Sequence, residues 1–267
     1  MNSINLLVIK DEEISDFETL FVKASIDGKE HRFQLDTGSN QTIMLEDDSL
    51  ASYQKNEAND YIGAFSEHQI ESISVSSIRV GPISKVDFEV ASIKDETGTF
   101  TNILGIDFFL EHKCYFRFDQ SQIVIDSPLE EGEDILFHHI KADNSLPFIE
   151  GILNGMKVHA LWDTGANINV VDSSLINSYP EMFQEIDGKA LASGLSETNT
   201  EIPIYYMEAI EIGGHVFQKQ LVAATDLSHF IEHMEQPIQL IIGYNTISNA
   251  NWIFDFPNSK WAILSND

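Results

Sequence analysis

The sequence predicts an all-β protein, mainly strands with a few short helices, in which two homologous halves face each other. Short apolar strands alternate with Gly, Asn and Asp turns along all 267 residues. A pattern of strand, glycine turn, strand and Asp-Thr-Gly occurs twice, and a second shared pattern follows each copy. Such repetition indicates that one folding unit has been duplicated.

The first shared segment is a hairpin that leads into Asp-Thr-Gly. Residues 26–38 read IDGKEHRFQLDTG and residues 153–165 read LNGMKVHALWDTG, at a separation of 127 positions. Alternating apolar residues on both sides of Gly28 and Gly155 predict two antiparallel strands joined by a tight turn.

Further shared segments follow in the same order in both halves. ILGIDFFLEH (103–112) aligns with IIGYNTISNA (241–250), and IRVGPISKVDFEVASI (78–93) resembles IEIGGHVFQKQLVAAT (210–225). The ordered series predicts one topology for both halves. Short helices are expected over 107–111, 173–178 and 227–234.

A connecting segment separates the halves. Pro128, the acidic residues between 130 and 134, and Pro147 interrupt the strand pattern. The expected units are residues 1–130, the first half, and residues 131–267, the second half.

Charge limits the classes of partner. The chain has 15 basic and 43 acidic residues, a formal net charge of −28, which argues against nucleic acid. No apolar run reaches the roughly 18 residues of a membrane span, and the first residues lack a basic leader, so a cytoplasmic protein without membrane contact is expected. The single cysteine, Cys114, excludes an internal disulfide, and its aromatic neighbours predict a buried thiol.

The two aspartates of the repeats are the candidate catalytic residues. Apolar strands carry Asp36 and Asp163 towards the interior, where a carboxylate needs a partner. Two facing carboxyl groups share one proton, so one activates a water while the other donates to an amide carbonyl.

The residues after each aspartate are expected to support the two loops. The hydroxyls of Thr37 and Thr164 can hydrogen-bond across the symmetry axis. Gly38 and Gly165 allow a close turn in which their amides donate to the carboxylates.

Together these motifs resemble aspartic proteases of the pepsin and retropepsin superfamily over about residues 17–264. The resemblance rests on LDTGS and WDTGA, followed by Ile-Leu-Gly at 103–105 and Ile-Ile-Gly at 241–243. It implies a single chain with two retropepsin-like β-barrel lobes, the active site between them, and endopeptidase activity on a peptide or protein substrate. It also implies a monomer without cofactor or metal. The alternatives are a silent peptide-binding protein that keeps the cleft, and a structural pair of lobes within an assembly.

The same resemblance implies a flap hairpin over the cleft from each half. Residues 60–73 and 191–204 fit this role, with Gly63 and Gly194 at 27 and 31 positions after their aspartates. Tyr61 is a candidate flap aromatic, or else a surface tyrosine in a turn.

One difference between the loops predicts which aspartate is ionised. Ser39 follows the first motif and Ala166 the second. A hydroxyl that donates to a carboxylate lowers its pKa, so Asp36 is expected to be ionised and Asp163 protonated. The lack of such a hydroxyl at Asp163 and the surrounding negative charge both hinder ionisation and predict a mildly acidic to near-neutral optimum.

A metal site is not expected. His229 and His233 have the i, i+4 spacing of helical metal ligands, but Phe230 stands where the HExxH motif requires glutamate. A solvated helix face explains the pair.

Overall fold

A computed structural model describes the greater part of the chain. The described residues are 2–10, 18–46, 50, 53, 55–56, 59–62, 67–94, 100–128, 135–192, 200–235 and 237–264. None of the helices in these ranges has the length and apolar character that crossing a bilayer requires.

The described part of the first half consists almost entirely of strands. They are β1 (Ser3–Asn5), β2 (Leu7–Lys10), β3 (Glu18–Ile26), β4 (Lys29–Leu35), β5 (Ile43–Leu45), β6 (Asn59–Ile62), β7 (Glu67–Val80), β8 (Ile83–Ile93), β9 (Asn102–Leu104), β10 (Lys113–Arg117) and β11 (Gln122–Ile125). Single 3₁₀ turns occupy Ile106–Phe108 and Phe118–Gln120.

The second half repeats this pattern with more helix. Its strands are β12 (His138–His139), β13 (Lys141–Asp143), β14 (Leu146–Leu153), β15 (Met156–Trp162), β16 (Asn169–Asp172), β17 (Phe183–Ala192), β18 (Thr200–Met207), β19 (Ile210–Ile212), β20 (His215–Phe217), β21 (Gln220–Thr225), β22 (Leu240–Ile242), β23 (Asn251–Asp255) and β24 (Lys260–Leu264). Its helices are α1 (Ser173–Ser178), α2 (Ser228–Ile231) and α3 (Tyr244–Ile247), with 3₁₀ turns at Pro180–Met182 and Phe256–Asn258.

Both halves share one sheet topology. The first-half sheet contains the order β4-β9-β5-β8-β7, and the second-half sheet contains β15-β22-β16-β21-β18. In each, the strand that ends in the shared glycine lies parallel to the strand before Asp-Thr-Gly, with Leu35 opposite Leu104 and Trp162 opposite Ile242. The predicted duplication and the all-β fold of two retropepsin-like lobes are therefore confirmed.

A third sheet joins the halves. Its order is β1-β11-β10-β23-β24-β12, so each half contributes three strands. At its centre β10 and β23 run antiparallel, with Phe116 opposite Trp252. No strand was expected over residues 3–10, yet β1 forms one edge of this sheet and β2 pairs with β3.

An aromatic core lies at this junction. The Trp162 ring is 4.8 Å from Phe116, 5.8 Å from Trp252 and 4.4 Å from Phe254, centroid to centroid, and all four side chains are fully buried. Because Trp162 directly precedes Asp163, this packing holds the second Asp-Thr-Gly loop against the centre of the molecule. Cys114 is buried as predicted, and burial raises the pKa of its thiol well above the usual value.

The predicted helices are only partly correct. Helix α1 has the predicted bounds, and the Asp172 side chain caps it by accepting from the Ser174 amide. The segment 107–111 forms only the 3₁₀ turn at Ile106–Phe108, and α2 is shorter than the predicted 227–234. Residues 129–134 lie outside the described ranges, so the boundary at 130 stays a prediction.

Candidate active site

Each Asp-Thr-Gly loop is supported by the strand that ends in the shared glycine. The Asp36 amide donates to the Leu104 carbonyl at 3.1 Å, and the Asp163 amide donates to the Ile242 carbonyl at 3.0 Å. These strands, β9 and β22, are the Ile-Leu-Gly and Ile-Ile-Gly segments of the sequence.

The glycines that end these two strands allow the chain to cross closely behind each loop. A Cβ atom on Gly105 would lie 2.5 Å from the carbonyl carbon and oxygen of Gln41. One on Gly243 would lie 2.6 Å from the same atoms of Ile168. Any larger residue would push the loop away from its supporting strand.

The two threonines bind the loops to each other. The Thr37 hydroxyl donates to the Trp162 carbonyl at 2.9 Å and accepts from the Thr164 amide at 3.0 Å. The Thr164 hydroxyl donates to the Leu35 carbonyl at 3.0 Å and accepts from the Thr37 amide at 3.1 Å. Both side chains are buried. The predicted bonds across the axis are present, and they are reciprocal.

Replacing Thr164 by valine is expected to destabilise the protein by about 3 kcal/mol. The change keeps the shape but leaves the Thr37 amide and the Leu35 carbonyl buried without a partner, at about 1–3 kcal/mol each. Urea unfolding measures the loss. Thr164→Ser keeps the hydroxyl and is the control. Equal stability of the valine and serine variants would contradict a role for these hydrogen bonds.

The two carboxyl groups meet at the axis. They hydrogen-bond to each other, and the amides of Gly165 and Gly38 donate to Oδ1 of Asp163 at 2.7 and 3.2 Å. Each carboxyl also rests on the glycine of the opposite loop. A Cβ on Gly38 would lie 2.5 Å from the Asp163 carboxyl carbon, and one on Gly165 would overlap the Asp36 carboxyl.

The protonation of the pair is asymmetric. Burial raises the pKa of Asp36 well above its usual value, and the negative charge of Asp163 and their shared hydrogen bond raise it further. Burial also raises the pKa of Asp163, but the Gly165 amide and the hydrogen bond from Asp36 lower it. The pKa of both carboxyls is raised on balance, because two buried neighbouring carboxyls cannot both ionise easily, so the pair holds one proton between them. Both residues stay partly exposed to solvent.

The predicted role of Ser39 is wrong. Its buried hydroxyl donates to the backbone carbonyl of Gln41 at 2.8 Å and not to Asp36. The assignment of Asp36 as the ionised member rested on that hydroxyl and therefore loses its support. What Ser39 and Ala166 share is a backbone role. Their carbonyls accept from the Ile106 amide at 2.9 Å and the Tyr244 amide at 2.7 Å.

A layer of polar side chains behind the loops was missed by the sequence analysis. In the first half, the Asp107 carboxylate accepts from the Thr42 amide at 2.9 Å and hydroxyl at 2.8 Å. In the second half, the Asn245 carboxamide accepts from the Asn169 amide at 2.9 Å. The repeat already aligned these positions, so polar residues at matching positions were the available signal.

The flap residues are only partly described. Tyr61 lies in β6, opposite His68 of β7, but its side chain lies outside the described part of the structure. Gly63 and Gly194 also lie outside the described residues. The flap therefore stays a prediction. The His229 and His233 rings are 5.4 Å apart, and no group of three His, Cys, Asp or Glu that could hold a metal occurs within the described ranges.

Comparison with protein families gives one match in each half. Residues 22–111 match the family described as gag-polyprotein putative aspartyl protease, and residues 149–246 match the family described as aspartyl protease. No curated protein matches the chain. Each matched segment contains one Asp-Thr-Gly loop and the glycine strand behind it.

Proposed function

The chain belongs to the retropepsin-like aspartyl proteases, and from this premise we propose that it is an aspartic endopeptidase whose catalytic residues are Asp36 and Asp163. The observation that carries the proposal is that the two Asp-Thr-Gly loops bring both carboxyl groups to the axis, each against the glycine of the opposite loop, where the pKa of Asp36 is raised well above its usual value. A pair that holds one proton at the working pH is what hydrolysis by an activated water requires.

In the proposed reaction, a water lies between the carboxyls and the scissile amide. Ionised Asp163 takes a proton from the water as its oxygen bonds to the carbonyl carbon, and Asp36 gives its proton to the carbonyl oxygen. The tetrahedral intermediate collapses when the C–N bond breaks: the departing nitrogen takes the proton from Asp163, and one hydroxyl of the intermediate returns a proton to the Asp36 carboxylate, which restores the starting state of the pair. The products are a carboxylic acid and an amine, and no bond to the enzyme forms.

The roles of the two aspartates follow from the surroundings of each carboxyl. Backbone amides lower the pKa of both carboxyls, those of Gly38 and Ser39 at Asp36 and those of Gly165, Gly38 and Ala166 at Asp163. The hydrogen bond between the carboxyls raises the pKa of Asp36 and lowers that of Asp163, which favours Asp36 as the proton carrier. Since one chain supplies both loops, we also propose that the active form is a monomer.

The test is hydrolysis of a peptide library in ¹⁸O-labelled water over a range of pH. One ¹⁸O atom should enter the new carboxyl group. The rate should rise as Asp163 ionises above the usual pKa of 3.8 and fall as Asp36 loses its proton at higher pH. Ser39→Ala and Ala166→Ser should leave both limbs unmoved, since the Ser39 hydroxyl bonds a carbonyl.

Two outcomes would contradict the proposal. Binding of peptides without cleavage at any pH would favour the silent peptide-binding alternative. Cleavage that persists with both aspartates changed to asparagine would assign the chemistry to other groups.

A further inference from the structure

A pocket of about 670 Å³ opens in the first half beside the active-site loop. Asn40 and Gln41, which directly follow Asp-Thr-Gly-Ser, form part of its wall, and strands β7 and β8 form another part. Strand β7 continues from the hairpin with β6, the expected flap. The pocket is therefore adjacent to the catalytic loop but is lined by neither catalytic carboxyl.

Most of the charged side chains that line this pocket are acidic. Asp87, Glu89, Asp107 and Glu111 line it together with one cation, Lys85. The Lys85 ammonium is already engaged, at 3.3 Å from the Glu111 carboxylate and 3.3 Å from the Asp107 carbonyl.

Two of these carboxylates remain available. The Asp107 carboxylate is held by Thr42, whereas the exposed Asp87 and Glu89 form no ion pair within the described residues. The pocket therefore presents negative charge that nothing in the described structure neutralises.

A buried hydroxyl in the pocket also lacks a partner. Ser72 lines the pocket and is only 7% exposed, and its Oγ has no hydrogen-bond partner among the described residues. A buried hydroxyl without a partner costs free energy, and here it lies beside an open volume. A ligand that carries hydrogen-bond donors would satisfy it.

The second half shows that the fold does not need this polar character. Ser72 lies opposite Ala91 just as Ile204 lies opposite Ala223, so Ser72 and Ile204 are equivalent positions. By the same registers Glu89 corresponds to Leu221, and the repeat aligns Gln41 with Ile168. The three second-half residues pack in one apolar cluster, where the first half has an open acidic pocket.

We propose that the first-half pocket binds an arginine side chain of the substrate, so that the protease selects peptides with arginine at one fixed position. This inference rests on the proposed function. A guanidinium offers five donors in a planar fork, which suits two carboxylates and a hydroxyl acceptor. Lysine would place a single ammonium there and satisfy fewer acceptors.

The experiment compares two sets of fluorescein-labelled octapeptides. In each set one residue is scanned through all eight positions, arginine in one set and its neutral isostere citrulline in the other. Binding to the Asp36→Asn chain is measured by fluorescence anisotropy, and hydrolysis by the native chain is measured by mass spectrometry. At one position arginine should bind about tenfold more tightly, the size of a single charge-assisted hydrogen bond.

Two variants locate the effect. Glu89→Gln removes one carboxylate from the pocket and should lower the preference for arginine to about twofold or less. Glu211→Gln removes another exposed carboxylate, from β19 in the second half, and should leave the preference unchanged. Ser72→Ala, which loses a hydroxyl without a partner, should keep the stability of the free protein and weaken arginine binding.

The outcomes separate this inference from the proposed function. An arginine preference in binding without any hydrolysis would support the pocket and contradict the protease. Hydrolysis without an arginine preference would overturn the pocket alone. A preference of equal size at all eight positions, or one that Glu89→Gln and Glu211→Gln lower equally, would reflect the net charge of −28 and also overturn it. Failure of every peptide to bind would contradict both.

Discussion

Asp36→Asn is expected to lower kcat/KM by about 10³-fold or more while the protein stays folded. The asparagine amide can still donate to the Asp163 carboxylate and so keeps the contact between the loops. It has no proton to transfer to the carbonyl oxygen, and general acid–base catalysis contributes about 10²–10⁴-fold. Since the two aspartates act as a unit, Asp163→Asn should cost a similar factor.

The same substitution should raise the stability of the protein at neutral pH. The folded chain keeps the Asp36 proton above pH 3.8, whereas the unfolded chain releases it. The folded state therefore binds more protons, and the free energy of unfolding falls as pH rises from about 3.8 through the raised pKa. A neutral asparagine removes this loss, so the melting temperature at pH 7 should rise relative to the native chain.

Asp27→Asn is the control, because its melting temperature at pH 7 should change in the opposite direction. Burial acts to raise the pKa of Asp27, but hydrogen bonds from Tyr53 and Ser77 together lower it below 3.8. Its carboxylate stabilises the fold above pH 3.8, so Asp27→Asn should lower the melting temperature at pH 7 and leave cleavage unchanged. Calorimetry of the native chain, Asp36→Asn and Asp27→Asn measures both changes in melting temperature, and a peptide assay measures cleavage by each protein. Full activity in Asp36→Asn would contradict the mechanism.

Gly165→Ala is expected to inactivate the protein by displacing the opposite aspartate. The added methyl group would overlap the Asp36 carboxyl. A shift of about 1 Å in a catalytic group costs about 10²-fold in rate, and an overfilled interior costs about 1–3 kcal/mol. Peptide cleavage and urea unfolding measure the two losses.

Gly155→Ala is the control for Gly165→Ala, because alanine at position 155 strains the backbone without contacting another residue. Gly155 lies in the turn before Asp163 with φ of +83°, and no atom lies within 4 Å of an added Cβ. The variant should lose about 1 kcal/mol in free energy of unfolding, because alanine disfavours the left-handed backbone, and it should keep its activity. If Gly165→Ala cleaved peptides as fast as Gly155→Ala, the contact with Asp36 would be unimportant for catalysis.

The features predicted from sequence are those that local patterns encode. Alternating apolar residues and the turn glycines identified the hairpins, and the spacing of the motifs identified the repeat. The threonine bonds followed because Thr37 and Thr164 occupy equivalent positions in two facing copies. Each of these features depends on residue type and order, which the sequence contains directly.

The features that could not be predicted from the sequence depend on segments far apart in the chain, or on which of several partners a side chain hydrogen-bonds. Strands β1 and β12 are short, and each pairs with a strand that lies more than a hundred residues away along the chain, β11 and β24. The Ser39 hydroxyl found an acceptor two residues away, a local bond that serine side chains often make. The acidic pocket brings together Gln41, Ser72 and Glu89, which are far apart in the sequence and carry no motif.

The location of both Asp-Thr-Gly loops in one chain has a consequence for the direction in which a peptide can bind. A peptide has a direction, and two identical subunits around an exact axis would present the same contacts to it in either orientation. Here a change in one half is not copied into the other, so Glu89 lines a pocket of the first half while Leu221, at the equivalent position, packs in the apolar cluster of the second half. A site of this kind can distinguish the amino end of its substrate from the carboxyl end.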